Sequence, residues 1–189
     1  MGKDTIVQYK EIQKRCQNIF EAKLEDYGPS WRVMRFVSIL DQLFIKVKRI
    51  RQLQQTGKKM VDEGPENEWM ALVNYAIIAL IQRDLGAAEE VDIDKERAST
   101  LYHQYFEMAF ELMKKKNHDY GEAWREMKLE SFADLILVKL IRIRQIIENN
   151  EKTKISEGIE SNLLDILNYA MFALIKIYES NTNNDKFAV

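Results

Sequence analysis

The sequence predicts an all-α protein of six helices, arranged as two tandem three-helix repeats that pack together as a pseudo-two-fold bundle. Three observations carry that prediction. Apolar side chains recur at three- and four-residue spacing along most of the chain, the period of a helix with one buried face. Only seven glycines and two prolines interrupt 189 residues, too few for the many turns of a β fold. The chain also writes one set of motifs twice. Asp26-Tyr27-Gly28, Trp31-Arg32, Ser38, Asp41, Lys46, Arg49 and Ile50-Arg51-Gln52 return 93 positions later as Asp119-Tyr120-Gly121, Trp124-Arg125, Ser131, Asp134, Lys139, Arg142 and Ile143-Arg144-Gln145. One extra residue then makes the offset 94, and Glu63-Gly64 with Glu66 answers Glu157-Gly158 with Glu160, as Asn74-Tyr75-Ala76 answers Asn168-Tyr169-Ala170. Repetition of this kind marks one structural unit used twice.

The first helix is expected over about 6–23, with Ile12, Cys16, Ile19, Phe20 and Leu24 on its inner face. It should stop at Asp26-Tyr27-Gly28, where glycine can close a helix and Pro29 discourages its continuation. A second helix runs from Trp31 or Phe36 to Leu53 on the stripe Val37, Leu40, Leu43, Phe44, Val47 and Ile50, and a loop covers 54–62. Pro65 suits the first turn of a third helix that ends near Leu85. Residues 86–94 form the hinge, with Asp92 or Asp94 as the next cap. The second repeat follows the same plan: helices over about 95–116 and 127–148, a loop over 149–155, Ser156 as cap, and a last helix to about Ser180 with a frayed tail. The last helix of each repeat is apolar on most sides and wants cover from several directions. Residues 1–88 and 89–189 are therefore expected to fold as one compact domain, with the functional site at the seam between them.

Composition removes several function classes. A net charge of −2 gives no basic surplus for general nucleic-acid binding. No apolar run approaches the roughly 18 residues of a membrane span, and the opening MGKDTIVQ has no signal-peptide core. A cytoplasmic protein is expected. Cys16 is the single cysteine, so there is no internal disulfide, and no histidine is placed to make it a nucleophile. His103 and His118 do not repeat and have no ligand-spaced partner.

Four groups of residues are candidates for chemistry. On the middle helix of the second repeat Ser131, Asp134, Val138, Arg142 and Gln145 share one face, with Lys139 beside it. Read plainly, this is a helix edge of Asp–Arg pairs; read functionally, Lys139 and Arg142, with Lys46 and Arg49 in the first repeat, receive phosphate oxygens. Carboxylates at the start of each last helix (Glu63, Glu66 and Glu68; Glu157, Glu160 and Asp165) suit the helix dipole. Asp165 is different, because it stands inside an apolar run and needs a cation. Glu130, Asp134, Glu160 and Asp165 could hold Mg2+ through oxygen ligands, whereas the first repeat has Val37 for Glu130 and Ala71 for Asp165. Asn74 and Asn168 sit mid-helix among apolar neighbours, either hydrogen-bonded across the pseudo-two-fold axis or touching a base. Tyr120, Trp124 and Arg125 beside Asp119, with Tyr27 and Trp31 in the first repeat, are either an aromatic helix stop or a lip that stacks a base.

These residues carry a resemblance. The order Lys23, Asp26-Tyr27-Gly28, Trp31, Ser38, Asp41, Lys46, Arg49-Ile50, Glu66, Asn74-Tyr75-Ala76, repeated as Lys116, Asp119-Tyr120-Gly121, Trp124, Ser131, Asp134, Lys139, Arg142-Ile143, Glu160, Asn168-Tyr169-Ala170, resembles the nucleotide-modification-associated domain family. More loosely the plan is similar to the all-α nucleotide pyrophosphohydrolases, the MazG-like and dimeric dUTPase group. That similarity implies acids of two helices around Mg2+ and cleavage of a nucleoside triphosphate to a monophosphate and pyrophosphate. Here the first acidic pair has a four-residue step, Glu130 to Asp134, and Asn162 stands where a glutamate would precede Asp165. The expectation is therefore a Mg2+-dependent pyrophosphohydrolase-like protein acting on (deoxy)nucleoside triphosphates. Glu130, Asp134, Glu160 and Asp165 would hold metal, Lys139 and Arg142 would balance phosphate charge, and the base would lie on Tyr120 and Trp124 or on Tyr27 and Trp31. The alternative is a non-catalytic helical module that binds a nucleotide or a protein, with a degenerate metal site. Pairing into a homodimer is compatible with either.

Overall fold

The structure, a computed structural model, describes residues 4–57, 64–152 and 157–186, with side chains as far as 181. Among these residues all regular structure is helical: α1 (Thr5–Tyr27), α2 (Phe36–Thr56), α3 (Pro65–Leu85), α4 (Lys95–Tyr120), α5 (Leu129–Glu148) and α6 (Ile159–Lys186). Short 3-10 turns at Ser30–Val33 and Ala123–Glu126 precede α2 and α5. The expected boundaries hold with small extensions. Asp94, not Asp92, caps α4, its carboxylate accepting from the Arg97 amide at 2.7 Å. The helical period of α2 persists through Gln54–Thr56, which the sequence reading assigns to a loop, until Gly57 ends it in the left-handed region at φ 62°. α6 runs on to Lys186, past the expected end at Ser180. Glu63 and the expected cap Ser156 lie outside the described residues.

α3 and α6 pack against each other at the centre, flanked by α2 and α5, which also touch, while α1 and α4 cross the opposite side. This arrangement answers the pattern of α3 and α6, whose apolar residues point in most directions and are nearly all buried. One continuous core joins the two repeats.

Paired contacts show the pseudo-two-fold axis. Arg144 reaches Asp41 at 2.7 Å and Arg51 reaches Asp134 at 3.0 Å, the same pair of positions exchanged between α2 and α5. The Tyr9 hydroxyl donates to Asn168 Oδ1 at 2.8 Å, and that of Tyr102, 93 positions on, donates to Asn74 Oδ1 at 2.7 Å. Each asparagine in turn donates to a carbonyl of its own repeat, Asn74 to Cys16 and Asn168 to Ala109, at 3.1 and 3.0 Å. Both asparagines are thus satisfied in the core, and their cross-axis partners are tyrosines. Among the described residues no helix is long and apolar enough to cross a membrane.

Candidate functional site

A cavity of about 470 Å³ lies inside the first repeat, within the roughly 300–1,000 Å³ common for small-molecule sites. Contrary to expectation it does not lie on the seam between repeats. α1 supplies Phe20, Lys23, Leu24 and Tyr27, the following turn Gly28, Ser30 and Trp31, α2 Lys46, and α3 Glu68, Ala71, Asn74, Tyr75 and Ile78.

The local sequence explains why these side chains converge. Gly28 ends α1 at a positive φ of 64°, and the 3-10 turn that follows carries Trp31 inward. The turn is fastened by Arg32, whose side chain is 1% exposed. Arg32 donates to both oxygens of Asp92 at 2.7 and 3.0 Å, to the Gly86 carbonyl at 2.7 Å, and to Gln82 Oε1. Gln82 answers by donating to the carbonyls of Arg32 and Met34 at 2.9 and 2.6 Å. The second repeat uses Lys176 at the matching position, donating to the Arg125 carbonyl at 2.6 Å.

Cations gather on the α2 side of the cavity. Glu68 is buried, and its carboxylate faces Arg49 at 2.5 Å and Lys46 at 3.2 Å. Lys23 stands at the rim with no ion pair among the described residues. Tyr75 and Tyr27 complete the wall, and burial raises both hydroxyl pKa values, that of Tyr27 also through Tyr75 and Asp26. Both therefore stay neutral donors near pH 7.

The matching positions of the second repeat hold different chemistry. Asp165, in the place of Ala71, is buried and bridges two lysines: Lys116 to Oδ1 at 2.5 Å and Lys139 to Oδ2 at 2.6 Å. Burial opposes the charge on Lys116, but the hydrogen bond and charge of Asp165 outweigh it and raise the pKa. Asn162 replaces Glu68 and turns its amide onto the carbonyls of Glu157 and Gly158. Phe172 replaces Ile78 and stacks on Trp124, ring centres 4.4 Å apart and planes within 6°. Where the first repeat has space, the second has an ion pair and a ring.

The nucleotide modification associated domain 1 family matches residues 23–83 and 116–177, more than half of the chain. The chain belongs to that family. Its two segments begin on Lys23 and Lys116 and fall one in each repeat, so the chain carries the domain in tandem. No curated protein and no solved structure matches the chain.

Of the residues that sequence reasoning selects, the structure brings Tyr27, Trp31, Lys46 and Asn74 together on the cavity wall and sets Arg49 behind them on Glu68. Asn168 is the buried partner of Tyr9. Trp124 is packed under Phe172. The donors of Arg125 reach Glu122 at 2.6 Å, Thr5 at 2.6 Å, Gln8 at 2.7 Å and Glu179 at 3.2 Å. Asp119 and Tyr120 point outward, Tyr120 being 73% exposed. Arg142 is exposed on α5.

The four acids considered for Mg2+ do not fit a cage. Asp165 is neutralised by Lys116 and Lys139, Asp134 faces Arg51, and Glu130 and Glu160 are exposed near the starts of their helices. Among the described residues no three acidic, histidine or cysteine side chains gather closely enough to hold a metal.

Sequence reasoning gives no site role to Lys23, Tyr75 or Glu68. The signal was there in part: Lys23 opens the repeated motif, and Tyr75 sits inside it.

Proposed function

We propose that the first repeat binds a nucleotide without turning it over, the base against Trp31, Tyr27 and Tyr75 and the phosphate toward Lys23 and Lys46. One observation carries this reading: Lys23, Tyr27, Trp31, Lys46, Asn74 and Tyr75 of the first motif copy line one cavity, which joins aromatic faces to ammonium groups. Aromatic side chains accept any base through stacking, at about 1–3 kcal/mol per base. Lysine supplies mobile point charges suited to phosphate. Asn74 adds rigidity, since its amide is held by Tyr102 and Cys16 at the cavity floor. Membership of a nucleotide modification associated family supports a nucleotide as ligand. Hydrolysis draws no comparable support, because the acids it would need are paired or dispersed.

The test is calorimetric titration of the full chain with deoxynucleoside mono-, di- and triphosphates, with and without Mg2+, alongside a pyrophosphate assay. Binding is expected with one ligand per chain, no pyrophosphate, and loss of binding in Ala71→Asp. Silence from every nucleotide would retire the proposal, and pyrophosphate release would replace it with catalysis.

A further inference from the structure

We propose that Asp165 is a built-in substitute for the ligand's anion, and that the corresponding space in the first repeat, over Ala71 between Lys23 and Lys46, is a phosphate subsite. This rests on the nucleotide reading above and gives it a location and a stoichiometry. In the second repeat one carboxylate is bridged by two ammonium groups, at 2.5 Å from Lys116 and 2.6 Å from Lys139, with only 6% of the Asp165 side chain exposed. The first repeat keeps both lysines, as Lys23 and Lys46, and replaces the carboxylate by the methyl group of Ala71. All three line the cavity. The volume that the carboxylate would fill is open.

The acid that lines the cavity does not take over this task. Glu68 lies three residues before Ala71, about one turn away, and faces Lys46 and Arg49. Moving the acid by one turn leaves Lys23 without a carboxylate among the described residues. Lys46 shares Glu68 with Arg49, and Lys23 adds a positive charge that no carboxylate among the described residues meets. A phosphate monoester is a dianion at neutral pH with three terminal oxygens, so it can accept from both lysines as Asp165 does.

The arrangement predicts that the second repeat regains an anion site when its internal substitute is removed. The experiment follows the melting temperature of Asp165→Ala against inorganic phosphate, with sodium chloride at matched ionic strength and wild type in parallel. Asp165→Ala should melt lower than wild type, and millimolar phosphate should raise it by several degrees more than it raises wild type. Adding Lys139→Met should remove that extra shift. Equal shifts in wild type and variant overturn the inference. Should Asp165→Ala fail to fold, Ala71→Asp serves in its place: it should fold, and nucleoside monophosphates should bind at least tenfold more weakly, whereas unchanged binding overturns the inference. The two proposals fail separately. If nucleoside and nucleoside monophosphate bind the wild type equally well, the base pocket stands and the phosphate subsite falls. If phosphate selectively stabilises Asp165→Ala while no nucleotide binds the wild type, the subsite stands and the nucleotide reading falls.

Discussion

Tyr102, on α4, donates its hydroxyl to Asn74 Oδ1 in α3 at 2.7 Å, a bond that crosses from the second repeat into the floor of the first repeat's cavity. Its counterpart from Tyr9 to Asn168 closes the cross in the other direction. Replacing Tyr102 by Phe leaves a buried acceptor without its donor, at a cost of about 1–3 kcal/mol. Urea denaturation should show that loss, and the transition should remain a single one because the core is continuous.

The same two tyrosines set an alkaline limit. Burial above all, with charge repulsion from Cys16 and neighbouring acids, raises both pKa values well above 10.0. In the unfolded chain these hydroxyls ionise near 10, while in the fold they stay protonated. Stability from this source is therefore whole below pH 10 and falls as pH rises beyond it. Tyr9→Phe combined with Tyr102→Phe should flatten the dependence of the melting temperature on pH above 10, although the double variant starts lower.

Arg32 holds the turn that positions Trp31. Its removal as Arg32→Ala orphans Gln82 Oε1 and the Gly86 carbonyl and empties a buried volume, which should cost about 2–4 kcal/mol. Arg32→Lys keeps the charge but cannot reproduce the forked contact with Asp92 and should recover only part of the loss. Chemical denaturation ranks the three proteins.

Asp134 is 61% exposed and faces Arg51, itself 33% exposed. A pair so open to solvent contributes less than about 1 kcal/mol. Asp134→Asn should therefore melt close to wild type, and Mg2+ should shift the two proteins alike. A shift by Mg2+ that disappears in Asp134→Asn would instead mark this acid as a metal ligand.

Ile78→Phe imports the ring that covers Trp124 in the second repeat. With Trp31 beneath it the ring should fill part of the 470 Å³ cavity, leave stability equal or slightly raised, and weaken nucleotide binding at least tenfold. Thermal melting and calorimetry on the one variant separate the two effects.

The fold was legible because it is written in local signals. Helical period, Gly28 as a stop, Pro65 as a start and an aspartate cap before α4 all act within a turn of themselves. The 93-residue echo then predicted two units and an axis. The site was legible only as a set of residue types. Repetition draws the eye to what the copies share, yet the cavity depends on where they differ, at Ala71 against Asp165 and Ile78 against Phe172. A buried acid in an apolar run suggested a metal in the second repeat. Its charge is met instead by Lys116, on a helix 49 positions upstream, and no spacing rule reveals that contact.

Joining the two repeats in one chain also removes dilution as a threat to the fold. Two separate subunits that cross-tie through Tyr–Asn bonds would come apart as concentration falls; here each half always finds its neighbour. One half is then free to give up its opening and serve as permanent buttress to the other, and a cell making few copies would still have every one of them assembled.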